Sequence, residues 1–277
     1  MAKPQAPTND ILTTGLAERI IPLEARPIVD LATSALVGMI MRLGGLESCN
    51  GRDIEHFAEL QGRRRELLIY TIERAARHIK AWRAKGFSGS LLVNIPPQLI
   101  EDRTLATSFD VISRSQGVEQ SAFTVLIPQA DYLKSPDALN AIWRLRKAGC
   151  GVAMSIDAKA VVKFRRMREH PFSALVFGGH HAWTRLKTIG PGKLGETGSW
   201  LGWAESAGLK RIACGIGDES DRETARLYGF TLGEGSHFAD YVPARDFLGG
   251  TETASSGAAT SEMGLPPPPV VVSLKRA

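Results

Sequence analysis

Five short runs of this chain, built mainly from apolar and small residues, decide how it folds. They are Leu36-Val37-Gly38-Met39-Ile40-Met41-Arg42, Leu92-Val93-Asn94-Ile95-Pro96, Gly151-Val152-Ala153-Met154-Ser155-Ile156-Asp157-Ala158, Ile212-Ala213-Cys214-Gly215-Ile216-Gly217 and Leu232-Gly233-Glu234-Gly235. Continuous apolar runs of this kind are typical of strands that are buried on both faces of a parallel sheet. Helical patterns lie between them, which predicts an α/β fold with parallel strands.

The pattern of strands and helices favours one barrel. Strands are predicted at residues 19–29, 35–41, 91–95, 123–127, 151–156, 174–177, 211–215 and 230–233. The clearest helix covers residues 55–85, and Gly86 follows its basic last turn as a stop signal. Other helices are predicted at residues 105–115, 136–148, 158–168, 194–207 and 220–228. We therefore expect a TIM-like (β/α)8 barrel, in which a functional site lies at the C-terminal ends of the strands.

The two ends of the chain differ in composition from its centre. Residues 1–15 are predicted to form a flexible leader, and residues 16–248 to form the barrel. Residues 249–277 are small and polar, then rich in proline, a composition that cannot bury enough surface to offset the entropy of ordering. We expect this tail to be disordered.

The length and composition of the chain limit the classes of protein to which it can belong. The chain has 277 residues, of which 43% are hydrophobic, which is enough for a large core. Its three cysteines and the absence of a secretory signal predict a cytoplasmic protein without disulfides. The most apolar stretch, residues 31–46, is too short and too polar to span a membrane.

The charge of the chain leaves two kinds of partner open. A net charge of +5 favours an acidic protein or a nucleic acid. The densest basic group, from Arg63 to Lys85, lies on the long predicted helix, where a solvated outer face explains it more simply than nucleic-acid binding. No zinc-finger or aromatic RNA-binding spacing accompanies it.

The order and spacing of the five runs resemble the EAL domain, the cyclic di-GMP phosphodiesterase barrel of bacterial signalling. The resemblance covers residues 18–247. Asn94 matches an asparagine that ligates metal in the family, and Asp157 matches the first residue of its Asp-Asp motif. Glu234-Gly235 matches a Gln-Gly pair, and Arg26 replaces the glutamine of the opening Gln-Pro-Ile-Val strand. The resemblance implies the same barrel here.

Most catalytic positions of the family hold other residues in this chain. Ile40 stands where the family has the glutamate of its name-giving motif, and Leu126 and Gln129 replace two further carboxylates. Val176 replaces the lysine that orients the attacking water, and Cys214 replaces another glutamate. Two-metal hydrolysis needs several carboxylates around two divalent ions. The resemblance therefore implies a degenerate phosphodiesterase, and we expect no enzymatic activity, no metal and no cofactor.

The surviving polar residues form a vestigial site of Asn94, Asp157 and Glu234. Asn94 and Asp157 have a structural alternative, since each residue type commonly caps a loop or helix that follows a strand. Arg26 and Arg42 are candidate ligand-binding residues, although a strand-end arginine on the surface explains Arg26 more simply. Cys214 as a nucleophile lacks an orienting partner in the sequence, so a buried cysteine is the plainer interpretation.

We therefore expect a regulatory or scaffolding protein that acts through protein–protein contact, with an unidentified and acidic partner. The resemblance also allows a homodimer. Two alternatives stay open: a receptor that binds cyclic di-GMP without cleaving it, and nucleic-acid binding by the basic helix. We favour neither, because the family's phosphate-binding arginine falls on Gly44 and the basic residues are dispersed.

Overall fold

The computed structural model describes residues 9–46, 49–128, 135–156, 171–178, 182–189 and 196–247. Asp157, Gln129, the predicted helix at residues 158–168 and the predicted tail at residues 249–277 lie outside these ranges. The strands are β1 (Leu23–Asp30), β2 (Leu36–Leu43), β3 (Ser90–Asn94), β4 (Phe123–Pro128), β5 (Gly151–Ile156), β6 (Ala174–Gly178), β7 (Lys210–Cys214), β8 (Leu232–Gly233) and β9 (Val242–Pro243). The helices are α1 (Asn9–Ala17), α2 (Gly51–Leu60), α3 (Arg64–Ala84), α4 (Leu105–Gln116), α5 (Pro136–Lys147), α6 (Ala182–Ile189), α7 (Glu196–Ser206) and α8 (Glu219–Leu227).

The sheet closes into a barrel, as predicted. Its strands follow the order β2-β3-β4-β5-β6-β7-β8-β1, and β1 also pairs with β2, which completes the circle. From β2 to β8 each strand is parallel to the next. The short β9 pairs with Glu24 and Ala25 of β1, on the edge that also meets β8.

Strand β1 departs from the predicted parallel arrangement. It runs antiparallel to both of its barrel neighbours, β2 and β8. Only residues 31–35 connect β1 to β2, and a parallel pair needs a crossover of a dozen or more residues. Asp30 fixes this turn by accepting the backbone N–H groups of Ala32 and Thr33 at 2.9 and 2.8 Å. The expectation of parallel strands is confirmed from β2 to β8, and β1 is the exception within the predicted barrel.

The leader is shorter than predicted. Residues from Asn9 onward form α1, and Ile11, Leu12 and Leu16 are buried in the main core. An apolar face repeated at helical spacing has enough burial to order a short helix. The prediction of a flexible leader is wrong from Asn9, and residues 1–8 lie outside the described part.

The long predicted helix is two helices. Asn50 accepts the N–H of Asp53 and the Asp53 side chain accepts the N–H of Asn50, so a capping box starts α2 several residues before the predicted boundary. Gly62 then adopts φ +67, a left-handed conformation that ends α2 and lets the chain turn into α3. The predicted end of the second helix agrees with its observed C-cap at Lys85.

The buried side chains form two layers. One lies between the barrel and the helices and includes Phe109, Phe123, Phe177 and Trp82. The other fills the barrel interior. No helix in the described ranges combines the length and the apolar character needed to cross a membrane.

Candidate functional site

The mouth of the barrel, where the parallel strands end, is apolar in its lower part. Ile40 of β2, Leu126 of β4 and Cys214 of β7 pack against the interior cluster. That cluster consists of Ile28, Leu92, Ala153, Ala174, Val176 and Ile212. The residues at four positions where the resemblance implies charged catalytic groups, Ile40, Leu126, Val176 and Cys214, thus belong to one hydrophobic unit.

Above this apolar floor, Glu234 is a buried carboxylate with a complete set of partners. Its Oε2 lies 3.0 Å from Nη1 of Arg26, and the two side chains are only 6% and 16% exposed. Its Oε1 accepts the backbone N–H of Gly215 at 3.0 Å. The structure thus brings two predicted site residues together, and it contradicts the interpretation of Arg26 as a surface arginine. The carboxylate is held in place by Arg26 and Gly215.

Arg42, the other candidate ligand-binding residue, contacts the same aromatic ring as Arg26. The ring of Tyr241 lies 3.8 Å from the Arg42 guanidinium carbon and 4.1 Å from that of Arg26. Arg42 also pairs with Glu24 at 2.7 Å. We call Glu24, Arg26, Arg42, Glu234 and Tyr241 the mouth network. It contains two cations and two anions, so its formal charges cancel.

Burial changes the acidity of two groups in this region. Desolvation, reinforced by the negative charge of Glu234, raises the pKa of the Tyr241 phenol to about 12. The same two causes raise the pKa of the Cys214 thiol well above its ordinary value. Both groups are therefore protonated and neutral at pH 7. A protonated thiol is a poor nucleophile, which agrees with the interpretation of Cys214 as a packed side chain.

Asn94 lies where β3 reaches the mouth of the barrel. It is the last residue of β3, and its side chain is exposed. Together with Arg42 it lines a cavity of about 500 Å³ between the strand ends and helices α2 and α3. Asp157, the third predicted member, lies outside the described residues. Of the two described members, Glu234 is engaged by Arg26 and Asn94 is exposed at the end of β3, and their grouping into one site stays a prediction.

The described residues do not fit the two divalent ions that the resemblance implies. Hard cations need oxygen ligands that carry negative charge. At the mouth, Glu234 is engaged by Arg26, Asn94 is uncharged, and the side chain of Ile40 contains no oxygen. In the described ranges no group of three or more His, Cys, Asp or Glu side chains is placed to hold a metal.

Gly178, at the end of β6, is a position where the structure leaves no space for a side chain. A Cβ atom at this last position of β6 would lie 2.2 Å from the backbone oxygen of Cys214 on β7. Real Cβ atoms do not approach a backbone oxygen so closely, so any side chain here would force the two strands apart. The family's Lys-Ile-Asp motif has its aspartate at this position, according to the resemblance. The local geometry of this chain accepts only glycine.

The first three cations of the basic group, at the start of α3, are paired. Arg63 donates to Glu66 at 2.7 Å, Arg65 donates to Asp102 at 2.9 Å, and Arg64 pairs with Glu59. Paired cations attract phosphate groups less strongly than free ones, because the partner carboxylate lowers the local potential. The N-terminal part of α3 is therefore less positive than its run of three arginines suggests.

Sequence reasoning missed Tyr241 and Glu24, the two residues that complete the mouth network. Glu24 faces Arg42 because antiparallel register places the two residues opposite each other on β1 and β2. No local motif marks either residue. An antiparallel hairpin over residues 23–43 was the one signal that could have predicted the pair Glu24–Arg42.

Comparison with known proteins agrees with the fold. The structure resembles the PaMucR phosphodiesterase in its c-di-GMP complex (TM-score 0.74, 17% identity, 86% of this chain and 98% of that one). It also resembles the FimX EAL domain from Pseudomonas aeruginosa bound to c-di-GMP (TM-score 0.72, 13% identity, 85% of this chain and 96% of that one). At these identities the likeness shows the fold alone.

Sequence comparison adds a relative and a family. Cyclic di-GMP phosphodiesterase RocR of Pseudomonas aeruginosa is 26% identical over 162 residues, which are 57% of this chain. The match spans only 40% of the length of RocR. The family model described as "EAL domain" matches residues 10–241, most of the chain. The chain therefore belongs to the EAL domain family.

Proposed function

We propose that this protein is a catalytically silent EAL domain that acts in cyclic di-GMP signalling as a regulatory or scaffolding component, through contact with another protein. The observation that carries the proposal is the apolar packing of Ile40, Leu126 and Val176 inside the barrel mouth. Cleavage of a phosphodiester by two metals needs charged ligands and a positioned water at this place. Aliphatic side chains supply neither.

The mouth network supports the same proposal. The phosphates of a cyclic dinucleotide need cations that are free to pair with them. Arg26 is committed to Glu234 and Arg42 to Glu24, and both also contact Tyr241. Binding a phosphate would have to displace an existing carboxylate partner. The narrow space at Gly178 also supports the absence of catalysis, since it excludes the aspartate side chain that the resemblance implies at this position.

Two exposed apolar side chains support a role in protein contact. Val111 on α4 is 60% exposed and Trp143 on α5 is 45% exposed, and these two helices pack against each other. Tryptophan is enriched at the centres of protein interfaces. We propose this face as a contact surface. The three cysteines are free thiols, which supports a cytoplasmic location.

A receptor that binds cyclic di-GMP without cleaving it is the second candidate. It is favoured by one specific finding, the c-di-GMP that the structurally similar FimX EAL domain holds. Arg42, which is 54% exposed, and the exposed Asn94 are the side chains of this chain that such a ligand would reach.

One experiment separates the two candidates from an active enzyme. Cyclic di-GMP is titrated calorimetrically into the purified protein with Mg²⁺ and again with a chelator, and the mixture is then analysed for cleaved nucleotide. We expect no product, and no saturable heat that Arg42→Ala removes. Saturable heat without product, lost in Arg42→Ala, would replace the proposal with the receptor. Product formation that depends on the metal would overturn both.

The contact surface is tested by sedimentation velocity on the wild type and on Trp143→Arg. A concentration-dependent dimer that the variant loses, while its circular dichroism is unchanged, would identify the partner as a second copy. A dimer that persists in the variant would rule this face out as the dimer interface.

A further inference from the structure

The opposite end of the barrel, where the parallel strands begin, holds a second cavity. One part measures about 220 Å³ and lies inside the strand ends, and a larger part of about 820 Å³ opens beside it. The two parts share Val37, Ser90, Ser121 and Lys210 in their linings, so they adjoin each other. We call this space the basal cavity. It lies one barrel length away from the mouth network.

The basal cavity exists because small residues occupy the inward-facing positions of this layer. In TIM-like barrels, bulky branched side chains usually fill such positions. Here β3 begins with Ser90, β4 contributes Thr124, and β5 begins with Gly151. A Cβ atom at Gly151 would lie 2.6 Å from Oγ1 of Thr124, so even one methyl group would crowd the space. Hydroxyl groups therefore line it, with Ser173 adding another.

Four cations line the basal cavity against one carboxylate. They are Lys80, Arg83, Arg146 and Lys210, and the carboxylate is Glu119. Within the described part of the chain none of the four cations forms a salt bridge. The contrast with the mouth is clear, because Arg26 and Arg42 are both paired there. The unbalanced positive charge attracts anions to the basal end.

Two of the cations are held in place by uncharged partners. Arg83 donates to the backbone oxygens of Phe87 at 3.0 Å and Gly89 at 3.1 Å. Arg146 donates from Nη1 to the backbone oxygen of Cys150 at 3.0 Å. These bonds fix each guanidinium group without neutralising it, and the remaining N–H groups can still donate. Fixed arginines together with hydroxyl donors suit the oxygen atoms of a phosphate group.

We propose that the basal cavity binds a soluble small molecule that carries phosphate groups. Its outer part, of about 820 Å³, fits this class, since sites for small ligands commonly measure about 300–1,000 Å³. The proposal does not depend on the state of the barrel mouth, so it holds whether or not a nucleotide binds there.

Calorimetric titration with tripolyphosphate tests the proposal on the full chain. We expect saturable binding to the wild type that weakens at least about tenfold in Lys210→Gln and in Arg146→Gln, as expected for the loss of one charge-assisted hydrogen bond. The matched control is Arg52→Gln, which removes an exposed cation of α2 at the other end of the barrel and should leave the affinity unchanged. Lys210 is exposed, so its replacement should not disturb folding.

A steric variant gives an independent readout. Ser90→Leu fills the basal cavity without removing a charge. It should abolish the calorimetric heat of tripolyphosphate binding, while an unchanged circular dichroism spectrum shows that the variant is folded. No saturable heat in the wild type would overturn the proposal. An equal loss of tripolyphosphate affinity in Arg52→Gln and Lys210→Gln would overturn the proposal too. It would indicate that the anion is attracted by the overall positive charge of the protein and not by one site. Binding to phosphatidylglycerol vesicles in preference to tripolyphosphate would exclude a soluble ligand.

Discussion

Arg26 and Glu234 meet across 208 positions of sequence, with Nη1 of the arginine 3.0 Å from Oε2 of the glutamate. The first strand of the barrel is thereby tied to the segment that follows its last parallel strand. Removing one partner of a largely buried ion pair leaves an uncompensated charge. We expect Glu234→Gln to lower the free energy of unfolding by about 3 kcal/mol.

Urea unfolding of Glu234→Gln, Arg26→Met and the double variant measures the coupling between these two residues. The double variant should be more stable than the sum of the single losses predicts, because neither charge is then left alone. Additive losses would show that the two side chains do not interact in solution.

Tyr241 holds both arginines of the mouth network through its ring rather than its hydroxyl. Tyr241→Phe should therefore leave the free energy of unfolding almost unchanged. Tyr241→Ala should lower it by about 2 kcal/mol or more, since it removes two cation–π contacts and buried area.

Spectrophotometric titration of the wild type and Tyr241→Phe tests the raised pKa of the Tyr241 phenol. The difference between the two curves should show one phenol that ionises only near pH 12. Ionisation of that phenol near pH 10 would contradict the described burial.

Gly178 is expected to tolerate no side chain. Gly178→Ala should destabilise the protein by about 2 kcal/mol or more, because the new Cβ would overlap the backbone oxygen of Cys214. Gly202→Ala is the control, since nothing lies within 4 Å of its new Cβ and alanine favours the helix α7. The control should be neutral or up to about 1 kcal/mol more stable. Equal thermal stability of the two variants would contradict the close approach of β6 and β7.

His78 makes stability depend on pH. Burial, with help from the charge of Arg74, lowers the pKa of His78 from 6.5 to about 4, and its ring stacks on Trp82. The unfolded chain therefore binds this proton more tightly than the folded one. The contribution of His78 to stability is fully present above pH 6.5 and declines as the pH falls towards 4.

We expect a loss of about 1–2 kcal/mol from this histidine, after allowing for solvent screening. Urea unfolding at several pH values between these limits measures it. His78→Gln should remove that part of the slope, because glutamine does not titrate. An unchanged slope would assign the pH dependence to other groups.

The thiols of Cys150 and Cys214 should be inert in the folded protein. Burial raises the pKa of Cys150 to about 12 and that of Cys214 well above its ordinary value, so both are thiols rather than thiolates at pH 8. Ellman's reagent should react with them slowly until urea unfolds the chain. Rapid modification of Cys214 in the folded protein, located by mass spectrometry, would indicate an activated nucleophile and reopen the question of catalysis.

The barrel could be predicted from the sequence because its strands are buried on both faces and therefore appear as uninterrupted apolar runs. The direction of β1 could not, since residues 23–30 bury the same side chains whether the strand runs up or down. The break at Gly62 was visible as a glycine inside a helical pattern but was outweighed by the apolar periodicity on either side.

The candidate site was predicted less completely than the fold. Motif positions led to Arg26, Arg42 and Glu234, but the sequence could not show that these residues satisfy one another. That relation depends on antiparallel register and on Tyr241, which reaches the mouth from a segment after the last parallel strand. Contacts of this kind join distant positions and leave no local signal.

The antiparallel first strand also shapes how the chain acquires its structure during synthesis. Once β1 and β2 have been synthesised they can pair at once, but the other edge of β1 stays open until residues 232–233 emerge. The barrel therefore cannot close before nearly the whole domain has been translated. Until then the nascent chain exposes a strand edge, the feature most prone to pairing with neighbouring chains.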